Sequence, residues 1–249
     1  KATIYEINTR QFSAKGDFAS VQLHLPRLKD MSVDILWFMP IHPIGISNRK
    51  GSFGSYYCSR DFFDVNPEFG SKDDFRNLVN AAHEAGMKVM LDWVANHAAW
   101  DNVWVITNPD FFLRDENGDF VSPYDWTDVI QIDHNNPRAH EAMRSAMRYW
   151  VAEFDIDGFR ADLAHLTPLD FWTKARKECE AIKPNLLWLA ETEDLDYYQA
   201  FDVFYAWAWM RDTETYFKQQ APVSMLTNLL RKHRNEYPAG AFELYFTSN

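Results

Sequence analysis

Short, almost wholly apolar runs alternate with segments of helical periodicity, and that alternation is what most constrains the fold. DILWFMP at 34–40 and KVMLDWV at 88–94 lack the in-and-out polarity of a strand with one wet face. Strands covered on both faces read this way, as in parallel sheets. Between them, residues 72–85 place Phe75, Leu78, Val79 and Ala82 on one helical face, and Gly86 follows in a C-cap position.

The same reading predicts strands over 2–8, 157–163, 186–191, 201–206 and 241–247, and helices over 18–31, 137–154, 168–182 and 223–237. Pro137 stands at a first-turn position of its helix. Residues 98–133 carry Pro109, Gly118, Pro123 and many Asp and Asn; they are too many for an ordinary βα loop and read as a small excursion. Seven strands in β-α alternation imply a parallel sheet with helices outside it. An open doubly wound sheet and a (β/α)8 barrel one strand short both satisfy this pattern. No G-x-G-x-x-G or P-loop follows the first strand, which counts against dinucleotide or NTP binding.

Composition narrows the function classes. No apolar run approaches the roughly 18 residues of a membrane helix. The net charge of −11 argues against a nucleic-acid partner, which favours a basic face. Two cysteines, Cys58 and Cys179, make neither a disulfide framework nor a four-Cys zinc site, and with no paired base both read as inert packing. Most of the 10 Trp, 11 Tyr and 19 Phe read as a large core, and a few are candidates for stacking on flat, hydrogen-bearing ligands such as sugar rings, a division composition alone does not make. The two cysteines and the lack of a visible leader suit the cytoplasm. Lys1 in place of Met equally suits a leader removed from a secreted or periplasmic protein.

Charge sits where buried strands end. The third strand closes in Asp92-Trp93-Val94-Ala95-Asn96-His97, the fourth carries Arg160 and Asp162, and the fifth closes in Glu191. Unpaired charge is costly to bury, and in a parallel barrel the strand C-termini carry the chemistry. Asp162 and Glu191 are 29 residues apart, one strand-helix unit. On neighbouring strands their carboxyls would lie about 5–5.5 Å apart, the spacing of a retaining glycosidase. Arg160 shares a strand face with Asp162 and is expected to keep it ionised. The apolar approach to Glu191 is expected to keep that residue protonated.

DWVANH, GFRADLAH and LAET resemble three signature regions of the α-amylase family of glycoside hydrolases. YEINTRQFS, GSYYCSRDF, NPEFGSKDDF and HEAGMKVMLD resemble their usual surroundings, in the family's order along nearly the whole chain. The resemblance implies an incomplete (β/α)8 (TIM) barrel built from 1–97 and 134–249, with 98–133 as a short form of the family's domain B. It implies a retaining double displacement on α-1,4-linked glucans such as maltodextrin or starch. Asp162 would be the nucleophile, Glu191 the general acid/base, and Arg160 the residue holding the nucleophile. Asp92 would brace that arginine, His97 would hydrogen-bond the sugar, Tyr57 would stack on it, and His165 would reach toward the leaving group. Asn96 stands where the family often binds a structural calcium or the neighbouring loop. Calcium needs six to eight oxygens, which Asn96 alone does not supply. Asp115-Glu116-Asn117-Gly118-Asp119 reads as a solvated turn rather than a calcium loop.

The family's third catalytic acid is an Asp after a His, just beyond the seventh strand, where this chain reads Thr247-Ser248-Asn249. The isolated 249-residue chain is therefore expected to have little or no activity; turnover matching that of an extended form would refute this. α-Glucan transglycosylases, including branching and trehalose-forming enzymes, share the constellation, and a non-catalytic carbohydrate-binding homologue is the third reading. Among other residues, Trp37 reads as core, His42 and Trp100 as either core or site, and His24 and His233 as surface helix positions.

Overall fold

The structure, a computed structural model, describes residues 2–219 and 221–246. Its strands are β1 (Ile4–Ile7), β2 (Ile35–Phe38), β3 (Lys88–Trp93), β4 (His97–Ala99), β5 (Val129–Gln131), β6 (Gly158–Ala161), β7 (Leu187–Ala190), β8 (Val203–Tyr205) and β9 (Phe242–Leu244). Seven of them form one sheet in the order β1-β2-β3-β6-β7-β8-β9, every pair parallel. Helices or helical turns connect successive strands, so the sheet is that of a (β/α)8 (TIM) barrel, with seven of its strands among the described residues.

Both faces of the sheet are covered, which explains the apolar runs. Leu36, Phe38, Val89, Leu91, Trp93, Phe159, Trp188 and Phe204 point outward and pack beneath the helices. Trp37, Met90, Leu189 and Tyr205 point inward and fill the barrel. β6 and β7 lie so close at Gly158 that a Cβ there would fall 2.2 Å from the Leu187 carbonyl oxygen.

Helix boundaries follow local chemistry where it is strong. The helix Pro137–Phe154 matches its sequence signal at both ends: the Asn136 side chain caps it, Pro137 opens it, and Asp155 closes it at φ +55°. The helix Lys72–Glu84 starts at a reciprocal Ser71–Asp74 capping box, and Gly86 follows it at φ +76°. The helix expected over 18–31 is instead two, Phe18–Leu23 and Leu25–Asp30. Pro26 has no N–H to offer the preceding turn, so the chain breaks at His24. A helix that the sequence pattern did not suggest, Trp207–Gln219, begins two residues after β8. His233 is not a surface residue: it is buried, with Nδ1 2.7 Å from Glu243 Oε2 on β9. The end of the strand expected over 241–247 lies outside the described residues, as do Ser248 and Asn249.

The 98–133 excursion carries its own two-stranded sheet, in which β4 and β5 pair antiparallel. Asp115 Oδ1 accepts from the amides of Asn117 and Asp119, making the solvated turn expected there.

Candidate active site

Strand register assembles the charged cluster. Pairing of β3 with β6 sets Asp92 beside Arg160, both inside the barrel. Asp162 and Glu191 follow β6 and β7 directly, their amides donating to Trp93 O and Ala161 O on the preceding strand. Arg160 reaches all three acids. Nη1 donates to Asp92 Oδ1 at 3.0 Å and Asp162 Oδ1 at 2.9 Å, and Nη2 lies 3.0 Å from Glu191 Oε2. Its Nε donates to the Tyr205 hydroxyl at 3.2 Å, and its guanidinium lies over the Trp37 and Tyr205 rings. The arginine is thus held on several sides by groups from β2, β3, β6, β7 and β8.

One cation serves two buried carboxyls and a half-buried one, and the protonation balance reflects it. Burial pushes Asp92 up to about 7 against the pull of Arg160. Burial also raises Asp162, opposed by Arg160 and by a hydrogen bond from Glu191. Glu191 is raised by burial, with Arg160 opposing and the Asp162 charge reinforcing. Arg160 favours the ionised form of Asp162, as expected, but desolvation is the larger influence and Arg160 tempers it. The proton of the Asp162–Glu191 pair rests on Glu191, whose Oε2 also accepts from the Leu163 amide at 2.9 Å.

Residues 6–129 match the family model for the alpha amylase catalytic domain. The noncanonic maltogenic alpha-amylase of Thermotoga neapolitana superposes with a TM-score of 0.94 and 41% identity, over 99% of this chain and 59% of that one. An alpha-amylase from Lactobacillus plantarum gives a TM-score of 0.95 and 37% identity, over 99% of this chain and 62% of that one. This chain belongs to the α-amylase family. Among curated relatives, the maltogenic alpha-amylase of Bacillus acidopullulyticus is 31% identical over 71% of this chain and 32% of its own length. The alpha-1,4-glucan:maltose-1-phosphate maltosyltransferase of Burkholderia pseudomallei is 31% identical over 76% of this chain and 19% of its own length. The chain spans about a third or less of these two curated relatives.

Of the remaining residues that the resemblance implied, Tyr57 touches the cluster and His165 shares a cavity with it. Tyr57 donates its hydroxyl to Asp92 Oδ2 at 3.3 Å, and Trp37 donates its indole N–H to the same oxygen at 3.2 Å. Trp37 is core, as its sequence context suggested, and it also holds Asp92. His97 is buried beside the Trp126 ring, and burial lowers it to about 4, so it is neutral at pH 7. His165 is exposed and shares a cavity wall with Glu191. His42 is core: it packs against Phe62, Trp93 and Trp150 and holds the Asp64 carbonyl. Asn96 lies with its amide nitrogen 3.4 Å from His97 Nδ1. Among the described residues no group of three or more His, Cys, Asp or Glu is arranged to hold a metal ion.

Two cavities meet the cluster. One, of about 390 Å³, is walled by Tyr57 and Arg160 with Glu6, Asn8 and Met39. The other, of about 490 Å³, is walled by Glu191, His165, Thr192 and Trp207 among others. Glu6 and Trp207 were not among the residues singled out from the sequence. A signal existed for Glu6, a charge within an expected buried strand, the same signal that exposed Asp92. None existed for Trp207, whose place depends on the unanticipated helix.

Proposed function

We propose that this chain carries the reaction centre of a retaining enzyme acting on α-1,4-glucosidic bonds of maltodextrin- or starch-like glucans. The observation that carries the reading is the Arg160 guanidinium within 3.0 Å of Asp92, Asp162 and Glu191 at neighbouring strand ends. In the first step Glu191 gives its proton to the glycosidic oxygen as that oxygen leaves C1. Asp162 Oδ forms the new bond to C1, from the opposite face. In the second step the Glu191 carboxylate takes a proton from water or a sugar hydroxyl, whose oxygen attacks C1 and returns the electron pair to Asp162. Tyr57 and His97 line the donor sugar, and Asp92 keeps Arg160 in place. Residues 98–133 act as the short domain B, walling the site beside His97.

Both hydrolysis and transfer run through this chemistry. Similarity to a maltosyltransferase as well as to maltogenic amylases supports keeping glycosyl transfer as the second reading. The intact Arg160, Asp162 and Glu191 set counts against a purely carbohydrate-binding role. The test is proton NMR of the first product released by the natural protein from 4-nitrophenyl α-maltoside. Initial release of the α-anomer is expected, with loss in Asp162→Asn and Glu191→Gln. Initial release of the β-anomer overturns the retaining mechanism.

A further inference from the structure

We propose that Tyr205 is a positioning residue for the proton-transfer step: its hydroxyl occupies Arg160 Nε, which stops that guanidinium from gripping Glu191 with two N–H groups and leaves Glu191 able to donate its proton. This rests on the retaining reading above.

Arg160 meets both Asp92 and Asp162 through Nη1. Nε and Nη2 share the other edge of the guanidinium, a fork whose two N–H groups fit both oxygens of one carboxylate. Here that fork is divided. Nη2 lies 3.0 Å from Glu191 Oε2, while Nε donates to the Tyr205 hydroxyl at 3.2 Å. The hydroxyl is a neutral acceptor, because burial raises Tyr205 far above the ordinary tyrosine range against the opposing pull of Arg160. Were Nε free, the fork would close on Glu191 and favour its ionised form, which has no proton to give.

Tyr205 is fixed where it stands. It is buried on the inward face of β8. Its ring stacks on Trp207 with centroids 5.2 Å apart and planes 16° apart, and Trp37 and Phe246 meet it edge-on at 6.3 and 5.6 Å. Packing on three sides thus aims the hydroxyl at Nε. The other titratable groups facing Glu191 are Glu6 from β1, Asp92 from β3 and Asp162 after β6, with His165, Glu193 and Asp194 around its cavity. Arg160 is the permanent cation of this set, so its division between Tyr205 and Glu191 governs how firmly Glu191 holds its proton.

The test follows kcat/KM against pH for the natural protein and two variants on two substrates. Maltotetraose loses a sugar alkoxide and needs the Glu191 proton, whereas α-maltosyl fluoride loses fluoride with little acid help. Tyr205→Phe keeps the stacked ring and removes the acceptor. Its alkaline limb on maltotetraose is expected about one pH unit lower, a loss of about tenfold above the limb. On the fluoride the same variant is expected within about twofold of wild type. Tyr205→Gln gives up the ring but offers Nε a carbonyl oxygen, and its limb is expected within about 0.3 unit of wild type. An unmoved limb in Tyr205→Phe, an equal loss on both substrates, or a Tyr205→Gln limb displaced as far as that of Tyr205→Phe overturns the proposal, since packing of the ring would then explain the residue. Failure of the underlying reading shows differently, as fluoride release that survives Asp162→Asn.

Discussion

Two aspartates bracket β6, one residue before it and one after, and they live under opposite electrostatic rules. Asp157, at the floor of the barrel, receives Lys88 Nζ and Lys183 Nζ at 3.0 Å, His83 Nε2 at 2.7 Å and the Val89 amide at 2.8 Å. Burial works to raise it, but those bonds outweigh burial and its carboxyl sits below the usual range. Asp162, at the mouth, shares one arginine with Asp92 and Glu191 and is raised. Residue type, strand and burial are common to both; what differs is the number of cations per acid. The floor uses its charge for stability, and the mouth holds the acid that the proposed reaction needs.

The largest expected contrast comes from removing each charge. Asp162→Asn should lower kcat on the order of 10⁴-fold by deleting the proposed nucleophile, while raising stability by about 1 kcal/mol as like-charge crowding is relieved. Asp157→Asn should leave kcat within about twofold and cost about 2 kcal/mol by weakening its bonds to Lys88, Lys183, His83 and the buried Val89 amide. Denaturant melts and steady-state rates on both variants measure this. Equal destabilisation by the two substitutions would break the comparison.

Stability against pH should show both clusters with opposite slopes. At the mouth the folded Asp92 value, about 7, lies above its unfolded one of about 3.9. The folded state then binds more protons, so stability falls as pH rises through that window. At the floor the folded Asp157 value is depressed. Its contribution is full above the unfolded value and is lost as pH falls through the folded one. Chemical denaturation between pH 3 and 8 should therefore give a maximum near the acidic end of that range. Asp92→Asn should flatten the limb on the alkaline side, and a limb unchanged in that variant would mean other groups produce it.

The smallest expected effect sharpens the floor alone. Lys88 is largely exposed, so Lys88→Met should cost only about 0.5 kcal/mol, and less in high salt. A cost above that of Asp157→Asn would mean the ammonium, not the set of donors, anchors the floor.

Much of this site was legible in the chain. Strand-end charge in otherwise apolar runs pointed to Asp92, Arg160, Asp162 and Glu191, because burying charge without a partner is too costly to be incidental. Local chemistry also marked the start of the helix Pro137–Phe154 through Pro137, while its cap at Asn136 and its left-handed end at Asp155 emerged from the structure. The helix Trp207–Gln219 escaped notice because no Gly, Pro or cap residue separates it from β8. Its opening Trp-Ala-Trp-Met continues the apolar run of the strand. His233 read as a surface residue because its partner, Glu243, arrives only when β9 folds back against the helix Ser224–Glu236.

The sequence by itself determined which elements form and where charge is forced into the barrel, since periodicity, capping and the cost of burial all act within a few residues. Tertiary structure decided how those charges are shared. Register across β3, β6 and β7 makes three acids converge on one arginine, and the return of the chain after β8 sets Trp207 beside Glu191. Protonation balance and cavity walls depend on distances between strands and loops far apart in the chain, which no local pattern encodes.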